Sequence, residues 1–253
     1  MIRQNLDAIY FPENKRLWYV LALQGGFVNV GGFLAFHHFV SHVTGFAGQF
    51  SVELMEGDGW NALFAMTVPL FFLLGSFFSG LFTEVRRLRN KRPIYVWIMS
   101  VSAGIYFLIA ISGQVHWLGP YGQSFIDLRD YMVLAALCFV MGAQNAMFTS
   151  YSSAVVRTTH LTGVTTDLGI GWAKQYMGLD HRESQSNLLR LGLILSFLLG
   201  SLLGSLIFMS WHYLGFLVPA LIAAFVGRTL YKSRRREEVA ERAARNKQAN
   251  DGH

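Results

Sequence analysis

The sequence predicts an all-α integral membrane protein of about six transmembrane helices, built as two inverted three-helix repeats that each carry a broken or re-entrant half-helix. Three observations predict it: long apolar runs in a chain poor in charge, basic residues confined to alternate links, and a polar motif that occurs twice. The 253 residues are 53% hydrophobic and 14% charged, with a mean hydropathy of +0.35. A soluble domain carries about a quarter charged residues, so this chain has too little polar surface for water.

The apolar runs fall at 17–40, 62–82, 94–112, 131–150, 188–209 and 214–230. Each is close to the roughly 17–25 residues that cross about 30 Å of hydrocarbon as a helix, and a helix satisfies its own backbone hydrogen bonds in lipid. The first 16 residues are polar and no small-residue cleavage site follows them cleanly, so the first span is expected to be retained. Cys138 lies within the fourth span, where a single cysteine forms no internal disulfide and reads as a small buried hydrophobe. The expected organisation is a cytoplasmic segment at 1–16, a first three-helix repeat at 17–112, an external loop at 113–130, a second repeat at 131–230 and a basic cytoplasmic tail at 231–253.

Charge sets the expected orientation. Arg86, Arg87, Arg89, Lys91 and Arg92 crowd the link between spans two and three, Arg3, Lys15 and Arg16 precede span one, and Lys232, Arg234, Arg235 and Arg236 follow span six. Residues 41–59 hold no Lys or Arg, and 113–130 only Arg129. The positive-inside rule then places both termini in the cytoplasm of a bacterial inner membrane, with the link bearing Arg157, Lys174 and Arg182 on the same side. The formal charge of +6 is a topology signal, so the expected partner is the lipid bilayer and not nucleic acid. The tail reads as solvated, with a helix over 237–247.

Two stretches match. Ser41-His42-Val43-Thr44-Gly45 follows span one and Thr159-His160-Leu161-Thr162-Gly163 follows span four, each downstream of an asparagine within its span, Asn29 and Asn145. Phe72-Leu73-Leu74-Gly75-Ser76 recurs as Phe197-Leu198-Leu199-Gly200-Ser201 in spans two and five. The offsets are 118 and 125, which calls for a short insertion in the second half. Three spans per half make the halves enter from opposite faces, the layout in which transporters form a site at the repeat interface. Segments 46–56 and 164–177 are too short and polar to cross, and read as re-entrant or interfacial half-helices. Gly45 and Gly163 would permit the backbone break, and Thr44 and Thr162 would cap the half-helices.

Several residue types in these motifs carry chemistry. His42 and His160 offer proton exchange near neutrality, or else hold a helix break as N-caps. Asn29 and Asn145 in apolar spans must bond another helix or line a wet cavity. Asp167 and Glu53 are the nearby acids, able to bind a cation, relay protons or simply face water; Asp167 is preferred, because Glu56 and Asp58 give Glu53 a solvated acidic neighbourhood. His38 and His42 have i, i+4 spacing without a third ligand, so no metal site is expected. The Gly75/Ser79, Ser76/Gly80, Gly200/Gly204 and Ser201/Ser205 pairs make close-packing faces, and Pro69 and Pro219 are candidate kinks.

The runs Gly26-Phe27-Val28-Asn29 and Phe39-Val40-Ser41-His42-Val43-Thr44-Gly45, with Gly142-Ala143-Gln144-Asn145-Ala146 and Arg157-Thr158-Thr159-His160-Leu161-Thr162-Gly163, resemble the two signatures of the YoaK-like bacterial membrane proteins, a family catalogued as a domain of unknown function. The resemblance covers about 17–230 and departs at Phe46, where the family often has asparagine. It implies a multi-span membrane protein and brings no substrate. With no nucleotide-binding loop, nucleophile elbow, paired catalytic carboxylates or metalloprotease motif, the expected role is a small-solute or ion permease rather than an enzyme, without cofactor, with Asn29, His42, Thr44, Gly45, Asn145, His160, Thr162, Gly163 and Asp167 at its site. Six spans are few for a transporter, which leaves room for a homodimer. The alternative is a non-catalytic membrane assembly or accessory protein.

Overall fold

The computed structural model describes residues 11–123, 128–152, 161–178 and 183–251, and the regular elements among them are helices. In chain order they are α1 (Pro12–Phe36), α2 (Val43–Met55), α3 (Gly59–Ala65), α4 (Thr67–Phe82), α5 (Glu84–Leu88), α6 (Tyr95–Gln114), α7 (Leu128–Tyr151), α8 (Leu161–Tyr176), α9 (Glu183–Trp211) and α10 (Leu217–Asp251), with a 3-10 turn at His212–Phe216 between the last two. Five segments are long and apolar enough to cross a membrane: Asn14–Phe36, Gly59–Leu88, Tyr95–Gln114, Leu128–Tyr151 and Ser184–Arg236. The fifth runs 53 residues, about 80 Å of helix at 1.5 Å per residue, and it is divided where His212 takes a left-handed φ of 48°.

Local chemistry explains where the helices depart from the expected runs. Pro12 occupies the first position of α1, where its missing N–H costs nothing. The helix stops at Phe36 because His37 adopts φ 57° and its N–H bonds back to the Phe33 carbonyl, so the run expected to reach residue 40 is cut short. The second expected span is interrupted at Met66 between α3 and α4. Pro69 lies three residues on and has no N–H for the Ala65 carbonyl. Met66 keeps a right-handed helical backbone, so Gly59–Leu88 remains one apolar segment with its interruption beside Pro69, whereas Pro219 sits in the first turn of α10. The helix expected at 237–247 is the continuation of α10, which runs unbroken to Asp251.

Three helix pairs build the bundle: α1 with α9, α4 with α7, and α6 with α10. In the first pair, a Cβ on Gly26 would collide with the Phe197 carbonyl and one on Gly200 with the Leu23 carbonyl, while Ser201 Oγ donates to the Gly26 carbonyl at 3.3 Å. In the second, Gly75 faces the Phe139 carbonyl and Gly142 the Phe72 carbonyl, and Ser76 Oγ donates to the Gly142 carbonyl at 3.1 Å. Hydrophobic burial drives little between helices in lipid, so such backbone proximity and interhelical hydrogen bonding hold them together.

The interior is closed by large side chains. Trp18, fully buried, meets Phe148 edge-on at 6.0 Å, and Phe208 stacks obliquely on Phe27 and Phe216 at 5.0 and 4.8 Å. Outward, α4 exposes Leu70, Leu73, Leu74, Phe77 and Leu81, and α9 exposes Leu195, Leu198, Leu199, Leu202 and Leu206. An apolar surface of that extent suits acyl chains, not water. At one end of the bundle the Ser150 hydroxyl donates to Glu84, Glu84 pairs with Arg87 at 2.9 Å, and Arg92 pairs with Glu238 of α10 at 3.2 Å. At the other end Phe64 stacks on Tyr131 and Tyr121 packs edge-on against Tyr213.

Candidate functional site

After His37 the chain turns back along α1. Val40 is fully buried over Gly32, which has no Cβ to obstruct it, and the Ser41 N–H and hydroxyl both donate to Asn29 Oδ1, at 3.1 and 3.0 Å. Asn29 lies seven residues before the helix end, about 10 Å of helix. The chain therefore re-enters the bundle by two turns before α2 starts. Asn29 is the anchor of that return, and its amide oxygen accepts both bonds from the motif that follows it.

The return positions a polar chain that the sequence reading passed over. His38 Nδ1 lies 2.8 Å from the Phe36 carbonyl, which only accepts, so Nδ1 carries the proton and Nε2 accepts from Gln49 Nε2 at 2.9 Å. Gln49 also donates to Glu53 Oε1 at 2.9 Å. The second carboxylate oxygen, Glu53 Oε2, is enclosed without a hydrogen-bond partner among the described residues. Glu53, passed over in favour of Asp167, is thus the acid tied to the first motif, and Asp167 stands exposed on α8.

His42 is exposed at the N-cap of α2 and makes no side-chain cap bond; its ring lies 6.1 Å from Phe39. Thr44 and Thr162 are also exposed. Both are the second residue of their helices, not caps, and the Thr162 carbonyl accepts from the Thr166 hydroxyl at 2.9 Å. Gly45 and Gly163 lie inside α2 and α8 with ordinary helical backbone, so they are not the breaks; the first break is the left-handed His37. Gly45 instead gives room to the His42 ring. His160, with 153–159, lies outside the described residues. Asn145 is buried in α7 and its carbonyl accepts from Thr149 Oγ1 at 2.8 Å.

The helix that follows the second motif, α8, buries Val164, Leu168 and Gly171 against α9. Gly171 leaves space for Asn187 Oδ1, and Asn187 also accepts from Arg190 at 3.0 Å and donates to Gln175 at 3.3 Å. Two further amides were legible only as polar letters in apolar runs. Gln24 of α1 is buried and donates to the Pro219 carbonyl of α10 at 3.1 Å, while its Oε1 has no partner; buried Gln144 of α7 leaves Nε2 unpaired. Buried polar atoms without partners are rare, which singles out these two amides within the apolar spans. Outside the spans, Tyr121 reaches the Gly31 carbonyl at 3.3 Å, and burial, with Tyr213 beside it, pushes its phenol up.

A family model described as a protein of unknown function, DUF1275, matches residues 17–228. The chain belongs to this family. The DUF1275 match takes in both motifs and all four glycines of the α1–α9 and α4–α7 crossings, and it stops at Arg228, before the basic part of α10. No curated protein and no solved structure matched the chain.

Proposed function

We propose that this DUF1275 protein is a small-solute secondary transporter of the bacterial inner membrane, not an enzyme, with six spans related as two inverted halves and both termini in the cytoplasm. The matched crossings carry the proposal. Gly26, Leu23, Gly200, Phe197 and Ser201 meet in the same manner as Gly142, Phe139, Gly75, Phe72 and Ser76. Each half's first span pairs with the other half's second, an exchange generated by a two-fold axis lying in the membrane. Counting the 53-residue segment as two spans, divided at His212, gives three per half and reverses the second half relative to the first.

Within that frame the polar groups have transport roles. The incompletely paired amides of Gln24 and Gln144 would contact the solute from inside the bundle, and the Glu53 carboxylate, held by Gln49 beside His38, would take the coupling proton or cation, with His42 and His160 marking the two mouths. Purified protein in proteoliposomes, given a panel of amino acids, sugars and organic acids under an imposed pH gradient, tests the proposal. Flux of one solute that dissipates the gradient, lost in Gln144→Leu and in His38→Ala, is expected. Folded protein that moves nothing under any gradient while co-purifying with a partner would instead make it an accessory subunit.

A further inference from the structure

We infer that the outward groove between α6 and α10 is a binding site for an anionic phospholipid, with Arg228 on its phosphate and an acyl chain along the small residues of the groove. The groove is open on its outer side and has a volume of about 370 Å³. Its wall is Val96, Ser100 and Ala103 of α6 and Ala224 and Gly227 of α10, closed at one end by Arg228 and Tyr231. Small side chains at these positions keep the floor low enough to admit an acyl chain. None of the motif residues lines it, so the inference stands apart from the transport site.

Two exposed polar groups in the groove, Arg228 and Ser100, have no hydrogen bond or ion pair among the described residues. Arg228 lies within an apolar span, where a cation is costly unless it meets an anion or the interface. Ser100 is the second. The hydroxyls of Ser102, Ser205, Ser210 and Thr229 all donate to the carbonyl four residues back, and Ser76 and Ser201 donate across helices, whereas Ser100 donates to nothing described. Gly227 packs on Met99 and Val96, at the first turn of α6. That turn follows the link of Arg86, Arg87, Arg89, Lys91 and Arg92, which puts Arg228 at the boundary between hydrocarbon and headgroups. A phosphate there meets the guanidinium, a glycerol ester carbonyl one turn deeper meets the Ser100 hydroxyl, and the Tyr231 ring flanks the headgroup. Basic pockets between membrane helices select anionic lipids on this principle.

Native mass spectrometry of the full chain, exchanged into detergent containing phosphatidylglycerol or phosphatidylcholine, tests the site. The expected result is a retained phosphatidylglycerol adduct that weakens about fivefold in Arg228→Gln, the effect of about one basic residue at a lipid surface, and by a similar factor in Ala224→Phe, which fills the groove and keeps the charge. Arg235→Gln, outside the groove, keeps the adduct. Equal retention of phosphatidylcholine, binding by either groove variant undiminished from the unsubstituted protein, or displacement by inorganic phosphate alone at matched concentration would overturn the lipid assignment. So would a dimer that Ala224→Phe dissociates, since a second copy would then occupy the groove.

Discussion

α2 and α8 begin on the same His-x-Thr-Gly motif and then part company. At positions 118 apart, α8 presents Val164, Leu168 and Gly171 to α9 and buries all three, whereas α2 presents Phe46, Phe50 and Glu53 and buries none. Where Gly171 admits the Asn187 side chain, Glu53 carries a carboxylate joined to Gln49. The helix crossings behave oppositely, with glycine, carbonyl and serine meeting in the same way in both pairs. Backbone contact tolerates no side chain, so both crossings use the same residues. A short, largely exposed helix tolerates many, and there α2 and α8 carry different chemistry.

The crossings offer the largest effects. Gly26→Leu, Gly200→Leu, Gly75→Leu and Gly142→Leu each force two backbones apart, at a cost of about 3 kcal/mol, and each is expected to abolish monodisperse protein on size exclusion. Gly80→Ala, with open space at its Cβ, leaves the elution unchanged. If one crossing tolerated leucine and the other did not, their equivalence would fail.

Asn29→Ala removes the acceptor for the Ser41 N–H and hydroxyl. A loss of roughly 1 kcal/mol is expected, the cost of stranding part-buried donors, together with faster proteolysis between α1 and α2. In α8, Gly171→Ala pushes on Asn187 and costs about 1–2 kcal/mol, while Gly163→Ala, facing open space, is neutral or raises stability by up to about 1 kcal/mol through helix propensity. Thermal unfolding followed by tryptophan fluorescence separates these two. The smallest effect belongs to the surface ion pairs of α10. The hydrogen bond from Arg234, aided by the charge of Arg92, holds the Glu238 carboxyl below its usual range. A depressed carboxyl stabilises above its unfolded pKa and loses that contribution as pH falls through the folded one. Because the pair is exposed, Glu238→Gln is expected to leave the melting temperature at pH 7 unchanged within error.

Legibility followed how local the physics was. The apolar runs and the Phe-Leu-Leu-Gly-Ser repeat were readable because bilayer thickness and backbone proximity constrain single residues. The stop of α1 at His37 and the start of α4 near Pro69 were not, since one depends on a left-handed turn by a histidine and the other on a carbonyl four residues back. Gly45 and Gly163 looked like breaks because glycine permits them; the chain turns at a residue that does not. The partnership of His38 with Gln49 was not readable because it needs the return of 37–41 along α1, a tertiary event with no periodicity.

The central claim, that the halves are inverted, is tested most directly by labelling the ends of the two half-helices. In a Cys138→Ala background, Glu56→Cys and Met177→Cys, both exposed positions, are treated with a membrane-impermeant maleimide in intact cells and in inverted vesicles. Glu56→Cys is predicted to react only in cells and Met177→Cys only in vesicles. Reaction of both from the same side would contradict the inversion.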